Sequence, residues 1–199
     1  DHYFTAEPAS PSERRELAVT LAGRRVHVET AGGVFSSDRL DPGTAVLLDH
    51  AAPPPPAGVL VDLGCGWGPL ALSLALHSPG ARVMAVDVNR RALELTRRNA
   101  ERLGLGGVVV ATPEEAASLI GDTPIDLIWS NPPIRVGKEA LHAMLVEWLG
   151  RLAPHGRAEL VVARNLGADS LQRWIAGFMR CERVASSRGF RVLVARPRE

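Results

Sequence analysis

The chain has 199 residues, 46% of them hydrophobic and 23% charged, which is enough length to bury a core without disulfides or structural metals. Cys65 and Cys181 are too few for a disulfide framework, and the longest apolar run, Leu70 to Leu76, is far short of the ~20 residues of a membrane span. A secreted mini-protein, a membrane protein and a disordered tail are excluded, and a globular domain of cytoplasmic type is expected. Net charge is only +1, so no overall field announces a polyanionic partner. The distribution is uneven. Residues 164–199 carry eight arginines against three acids, and arginine's guanidinium fork suits phosphate oxygens as well as it suits a solvated face.

In chain order, Glu16 to Leu21 and Arg25 to Thr30 alternate apolar and polar around Ala22-Gly23-Arg24, which predicts a β-hairpin. Asp41-Pro42 predicts a helix start, with Asp41 as N-cap, and the helix should run to about Ala51 before Pro53 to Pro56 stiffen the chain. Strands and helices then alternate. Strands are expected at Gly58–Leu63, Arg82–Val86, Val108–Ala111, Ile125–Trp129 and Glu159–Ala163, as apolar runs buried on both faces. Helices are expected at Pro69–His77, Arg90–Leu103, around Glu114 to Leu119, at Lys138–Leu152 and at Asp169–Met179. Glu182–Ser186 and Phe190–Ala195 are separated by only three residues, which permits only an antiparallel hairpin. The expected architecture is α/β: a doubly wound, Rossmann-like, seven-stranded and mostly parallel sheet with an antiparallel C-terminal strand. Residues 1–35 are expected to form a small hairpin extension, and 36–199 the main domain.

Ligands of such sheets bind beyond the carboxyl ends of the strands, and three of those ends carry unusual residues. The first is Asp62-Leu-Gly64-Cys65-Gly66-Trp67-Gly68, a glycine turn with a carboxylate at its mouth. A nicotinamide fingerprint would place its third glycine where Pro69 stands, and Asp62 suits an ammonium group better than a pyrophosphate. The second is Asp87, 21 residues after Gly66, where a carboxylate can accept both hydroxyls of a ribose. Together they argue for a nucleoside cofactor without phosphate, which describes S-adenosyl-L-methionine. The third is Asn131-Pro132-Pro133-Ile134. The prolines lack backbone donors, and an extended Asn131 would set its amide oxygen beside the Pro132 carbonyl, a pair of acceptors suited to a planar NH2 group.

These three motifs resemble those of the class I S-adenosylmethionine-dependent methyltransferases that methylate amino groups. The sequence is similar above all to the "methyltransferase small" domain of the 16S rRNA guanine-N2 methyltransferases. Gly33-Val-Phe-Ser36 with Leu40-Asp-Pro-Gly-Thr44, the loop running from Asn131 to Lys138, and Arg188-Gly-Phe-Arg191 carry the likeness over nearly the whole chain. The resemblance implies methyl transfer to the N2 amine of a guanine in ribosomal RNA, with ribosomal RNA or the small ribosomal subunit as partner. It implies Asn131, Pro132 and Pro133 as the catalytic segment. It implies cofactor contacts from Asp62, Gly64, Cys65, Gly66, Gly68, Asp87, Val88, Thr44 and Asn131, with the Gly43-Thr44 helix start facing the cofactor's carboxylate. For the substrate it implies Phe35, Ile134, Arg135 and Lys138, with Trp67 a further aromatic that could hold the base.

Two features depart from the family pattern. Thr112-Pro113 stands where an acidic or polar residue often meets adenine, and Ile134 stands where adenine- and glutamine-modifying relatives carry a stacking aromatic. Many of the rRNA enzymes also carry a duplicated domain upstream of the one matched here. Cys65 reads as a small residue in a tight turn rather than a nucleophile. His27, His50, His77 and His142 lack metal-ligand spacing, so no metal is expected. The rival readings are an N-methyltransferase of protein glutamine or of a small molecule, and a non-catalytic ribosome-binding module that keeps the fold.

Overall fold

The computed structural model describes residues 13–199. β1 (Arg14–Leu21) and β2 (Arg24–Ala31) form the expected hairpin, in register Leu21↔Arg24, so the loop is the pair Ala22-Gly23. Both loop residues have positive φ, 49° and 72°, the signature of a turn whose twist matches the strands. The hairpin's alternation puts Val19, Leu21, Val26 and Val28 on one buried face. That face packs with Trp67, Leu72 and Leu95 from the elements that follow, so the hairpin shares a core with them. The first twelve residues of the expected 1–35 extension lie outside the described residues.

α1 (Pro42–His50) starts where the Asp-Pro pair predicts, with the Asp41 carboxylate accepting the Thr44 N–H at 2.9 Å. The remaining elements alternate as β3 (Ala57–Leu63), α2 (Pro69–His77), β4 (Gly80–Val86), α3 (Arg90–Arg102), β5 (Val108–Ala111), α4 (Pro113–Ile120) and β6 (Ile125–Ser130). They are followed by α5 (Lys138–Leu149), β7 (Leu152–Ala163), α6 (Ala168–Ala176), β8 (Arg180–Ser187) and β9 (Phe190–Arg196).

The seven-stranded sheet has the order β5-β4-β3-β6-β7-β9-β8. All pairings from β5 to β7 are parallel, while β9 runs antiparallel to both of its neighbours. The sheet is doubly wound. Residues of α4, α5 and α6, among them Ala116, Leu145, Trp148 and Ile175, cover one face, and residues of α1, α2 and α3, among them Leu47, Leu74 and Leu93, cover the other. The chain leaves β3 toward β4 on one side and later returns to β6 on the other, so the strand order reverses beside β3. A crevice opens at that point, beyond the strands' carboxyl ends.

Three boundaries differ from the sequence reading by three residues or more. The helix expected to reach Leu152 ends at Leu149, and the strand expected from Glu159 begins at Leu152. Pro154 and Gly156 look like a loop in sequence, but here they sit in an irregular stretch of strand where the pairing steps from Ile125↔Leu152 to Leu127↔Arg157. Gly156 is pressed onto β6, where an added Cβ would stand 2.6 Å from the Ile125 carbonyl oxygen. The helix expected to reach Met179 likewise stops at Ala176, before Gly177.

Candidate active site

The end of β3 is stitched to the end of β4. The N–H groups of Gly64 and Cys65 donate to the Val86 carbonyl at 2.8 and 3.0 Å, and the Gly66 N–H donates to Asp87 Oδ2 at 2.9 Å. Gly64 and Gly66 have φ of 83° and 58°, a backbone that side chains rarely adopt. A Cβ on Gly64 would also stand 3.9 Å from the Asn131 carbonyl oxygen and from Pro133 Cδ, in the gap between the turn and the Asn-Pro-Pro segment.

The crevice is a cleft of about 490 Å³, within the usual ~300–1,000 Å³ of small-molecule sites. Gly64, Gly66, Asp87, Val88, Asn131, Pro132, Pro133, Ile134, Arg135 and Phe35 all line it, so the three strand-end motifs converge on one space. A side cavity of about 30 Å³ shares Phe35, Asp41, Gly64, Gly66 and Asn131 with the cleft and adds Thr44, Asp62 and Cys65. Lys138 and Gly68 line neither. Lys138 is exposed at the first turn of α5, and Gly68 packs against Thr96 of α3.

Asp62 is fully buried, with one oxygen accepting the Ala71 N–H at 2.8 Å and the other, Oδ1, without a partner among the described residues. Burial pushes its acid up to about 8; the Ala71 amide opposes that, and the nearby Asp87 charge adds to it. An orphaned buried carboxylate oxygen beside a small cavity is a site for a cationic donor. Burial also raises Asp87, to about 6, although the amides of Asn89, Gly66 and Val88 pull the other way. A carboxylate has about four acceptor positions, and the hydrogen bonds from the Gly66 and Asn89 N–H groups, 2.9 Å each, take two of them. The Cys65 thiol is pushed well above its ordinary value by burial and by the two aspartates, which leaves it inert.

Asn131 donates through Nδ2 to Asp41 Oδ2 at 2.8 Å and to Thr44 Oγ1 at 3.2 Å. The Pro132 carbonyl, expected to be free, accepts the Ile134 N–H at 2.8 Å, and this leaves one of its two lone pairs. The Thr44 N–H is already taken by the Asp41 carboxylate, so of the Gly43-Thr44 pair this N–H is engaged within the protein. Trp67 is a core residue, 1% exposed, with its Nε1 donating to the Ser36 carbonyl at 3.1 Å, whereas Phe35 is 42% exposed on the cleft wall. Thr112 caps α4 in a capping box with Glu115, and only Pro113 of that pair reaches the cleft. The sequence reading missed the cleft residues Asp41, Met144, Leu166 and Phe190. Asp41, read as a helix cap, and Phe190 stand in motifs that carry the family likeness but were given no role in the site, and nothing in the sequence singles out Met144 or Leu166.

Among the described residues, no cluster of three or more His, Cys, Asp or Glu could hold a metal, and no helix is long and apolar enough to cross a membrane.

The sheet order and the strand-end cleft define a Rossmann-like methyltransferase fold. Residues 25–194 match the methyltransferase small domain family, and the chain belongs to it. The cofactor of that family is S-adenosyl-L-methionine. The protein is 31% identical to the uncharacterized protein YbxB of Bacillus subtilis (strain 168), over 85% of each chain. It is 32% identical to ribosomal RNA small subunit methyltransferase C of Pseudomonas aeruginosa (strain LESB58), over 96% of this chain and 57% of that protein. In fold it is similar to the T. thermophilus 16S rRNA N2 G1207 methyltransferase in complex with AdoMet and guanosine. That likeness has a TM-score of 0.77 at 24% identity and covers 96% of this chain and 52% of the other. The chain thus spans about half the length of these rRNA methyltransferases.

Proposed function

We propose that the protein is an S-adenosyl-L-methionine-dependent N-methyltransferase that modifies the exocyclic N2 amine of a guanine in 16S rRNA. The observation that carries the reading is the convergence of Asp87, the glycine turn and Asn131-Pro132 on one cleft. The named activities of the rRNA methyltransferases it resembles supply the substrate class.

In this reading Asp87 accepts the ribose hydroxyls, and Asp62 Oδ1, orphaned in the side cavity, partners the cofactor's ammonium group. The bound cofactor supplies a methyl group already activated on a sulfonium, so the protein's task is chiefly alignment. Asn131 Oδ1 and the remaining lone pair of Pro132 accept from the target amine and turn its nitrogen toward the methyl group. The same acceptors stabilise the positive charge that grows on nitrogen as the new N–C bond forms and the C–S bond breaks. Neither residue is a base, and the product's surplus proton leaves to water. The guanine must be unpaired or flipped out of its helix. Phe35 and Ile134 offer it apolar walls, and Arg135, exposed on the rim, is placed for an RNA phosphate.

The test is a calorimetric titration with S-adenosyl-L-methionine, followed by transfer of a labelled methyl group to 16S rRNA, both naked and in assembled small subunits. Binding that is lost in Asp87→Ala, with label recovered as N2-methylguanine, is the expected result. Transfer to a peptide or small amine but not to rRNA would overturn the substrate. Absence of cofactor binding would overturn the enzyme reading.

A further inference from the structure

One carboxylate serves two elements whose contacting residues, Thr44 and Asn131, are 87 positions apart. Asp41 Oδ2 caps α1 through the Thr44 N–H at 2.9 Å and also accepts from Asn131 Nδ2 at 2.8 Å. Capping requires only the first of these bonds. An ionised carboxylate can only accept, so the second bond decides which end of the Asn131 amide faces α1: it must be the nitrogen. Thr44 Oγ1, on a side chain buried at 4% exposure, takes the same nitrogen at 3.2 Å. With both Nδ2 hydrogens held, Oδ1 is the end of the amide left for a ligand in the cleft. The flipped amide would present its own NH2 to the target amine, donor against donor. A hydrogen bond from the amide nitrogen to a negative charge in a partly buried site also polarises the amide toward its oxygen.

We infer that Asp41 is a positioning residue for methyl transfer. Its carboxylate, assisted by Thr44, locks the Asn131 amide in the one orientation that accepts from a substrate amine. This rests on the reading of Asn131 as the acceptor of that amine, and it assigns to the helix cap a second task.

Two variants separate the tasks. Asp41→Ser keeps a hydroxyl able to cap Thr44 but is too short to reach Asn131. Asp41→Asn keeps both a cap and an acceptor oxygen. In Asp41→Ser, transfer of labelled methyl to small-subunit rRNA should slow by about ten- to a hundredfold, the scale of a misplaced reacting group. Affinity for S-adenosyl-L-methionine should stay unchanged, Asp41→Asn should recover much of the rate, and Asp41→Ser should add nothing in an Asn131→Ala background. A second readout needs no substrate. The side-chain amide resonances of Asn131, assigned by their disappearance in Asn131→Ala, should move in Asp41→Ser. Full turnover in Asp41→Ser with Asn131→Ala impaired would overturn the inference alone, as would unmoved amide resonances or a loss of cofactor affinity. Full turnover in Asn131→Ala would instead overturn the acceptor role on which the inference rests.

Discussion

Asp87 Oδ2 accepts the Gly66 N–H at 2.9 Å, so the carboxylate that closes β4 and the glycine turn that closes β3 form one unit. Its Oδ1 accepts the Asn89 N–H at 2.9 Å. Burial holds this acid up to about 6 in the free protein. A ligand that donates two hydroxyls favours the ionised form, so it takes the proton off as it binds. Cofactor affinity should therefore rise with pH up to about 6, and more shallowly from there to about 8, where Asp62 gives up its own proton. Asp87→Asn should bind weakly and lack the steeper limb. Calorimetric dissociation constants from pH 5 to 8 check the point, and an unchanged limb in Asp87→Asn would assign it to another group.

Asn131→Ala removes the acceptor while leaving the glycine turn and Asp87 in place. Losses of single oriented catalytic groups suggest that single-turnover methyl transfer should fall by about 10²-fold or more. Cofactor affinity should be nearly unaffected, because the change lies at the acceptor and not at the cofactor's anchors. Equal turnover in the two proteins would remove Asn131 from the mechanism.

Gly68 caps α2 with φ of 101°, and a Cβ there would stand 2.9 Å from Thr96 Cγ2 and Oγ1. Gly68→Ala should thus cost about 1–3 kcal/mol through backbone strain. Since Gly68 lines neither cavity, the folded fraction should still bind cofactor. Thermal unfolding with and without cofactor separates the two effects. A selective loss of affinity at full stability would return Gly68 to the cofactor's side.

The strand ends were legible because parallel strands buried on both faces read as apolar runs, and what interrupts each run is chemical: Gly64, Asp87, Asn131-Pro132. The first half of β7 was not legible, because Pro154 and Gly156 carry loop chemistry and only the tertiary pairing with Ile125 makes them strand. Lys138 shares a sequence motif with Asn131, but the 3-10 turn at Ile134–Val136 and the start of α5 carry it off the cleft. The bond between Asp41 and Asn131 has no local signature at all. Capping already explains an aspartate before Pro42, and a side-chain pair 90 residues apart leaves no spacing to read.

Leu21 is fully buried in the cluster that joins the hairpin to Trp67, Leu72 and Leu95. Leu21→Ala should cost about 2–5 kcal/mol, the usual range for such a cavity. Because the cluster is shared, unfolding should remain a single transition at a lower temperature. A separate early transition would instead mark the hairpin as a unit of its own.

Asp62 offers the sharpest electrostatic test, because its acid lies near 8 in the free protein and it is therefore largely protonated at pH 7. An unfolded aspartate titrates near 4, so the folded state holds a proton that the unfolded state has lost. The stability this contributes is fully present below about 4 and is lost as pH rises through about 8. The free protein should therefore melt at progressively lower temperature between pH 6 and 8 and level off above that, and Asp62→Asn should flatten the slope. Arrival of an ammonium group beside Oδ1 reverses the balance, because an adjacent cation favours the carboxylate. Binding of S-adenosyl-L-methionine at pH 7 should release a proton from Asp62. The observed binding enthalpy should then vary with the ionisation enthalpy of the buffer, and Asp62→Asn should abolish the variation. An enthalpy independent of buffer in the wild-type protein would mean that no cation comes to rest against Asp62, and would place the cofactor's ammonium group elsewhere in the cleft.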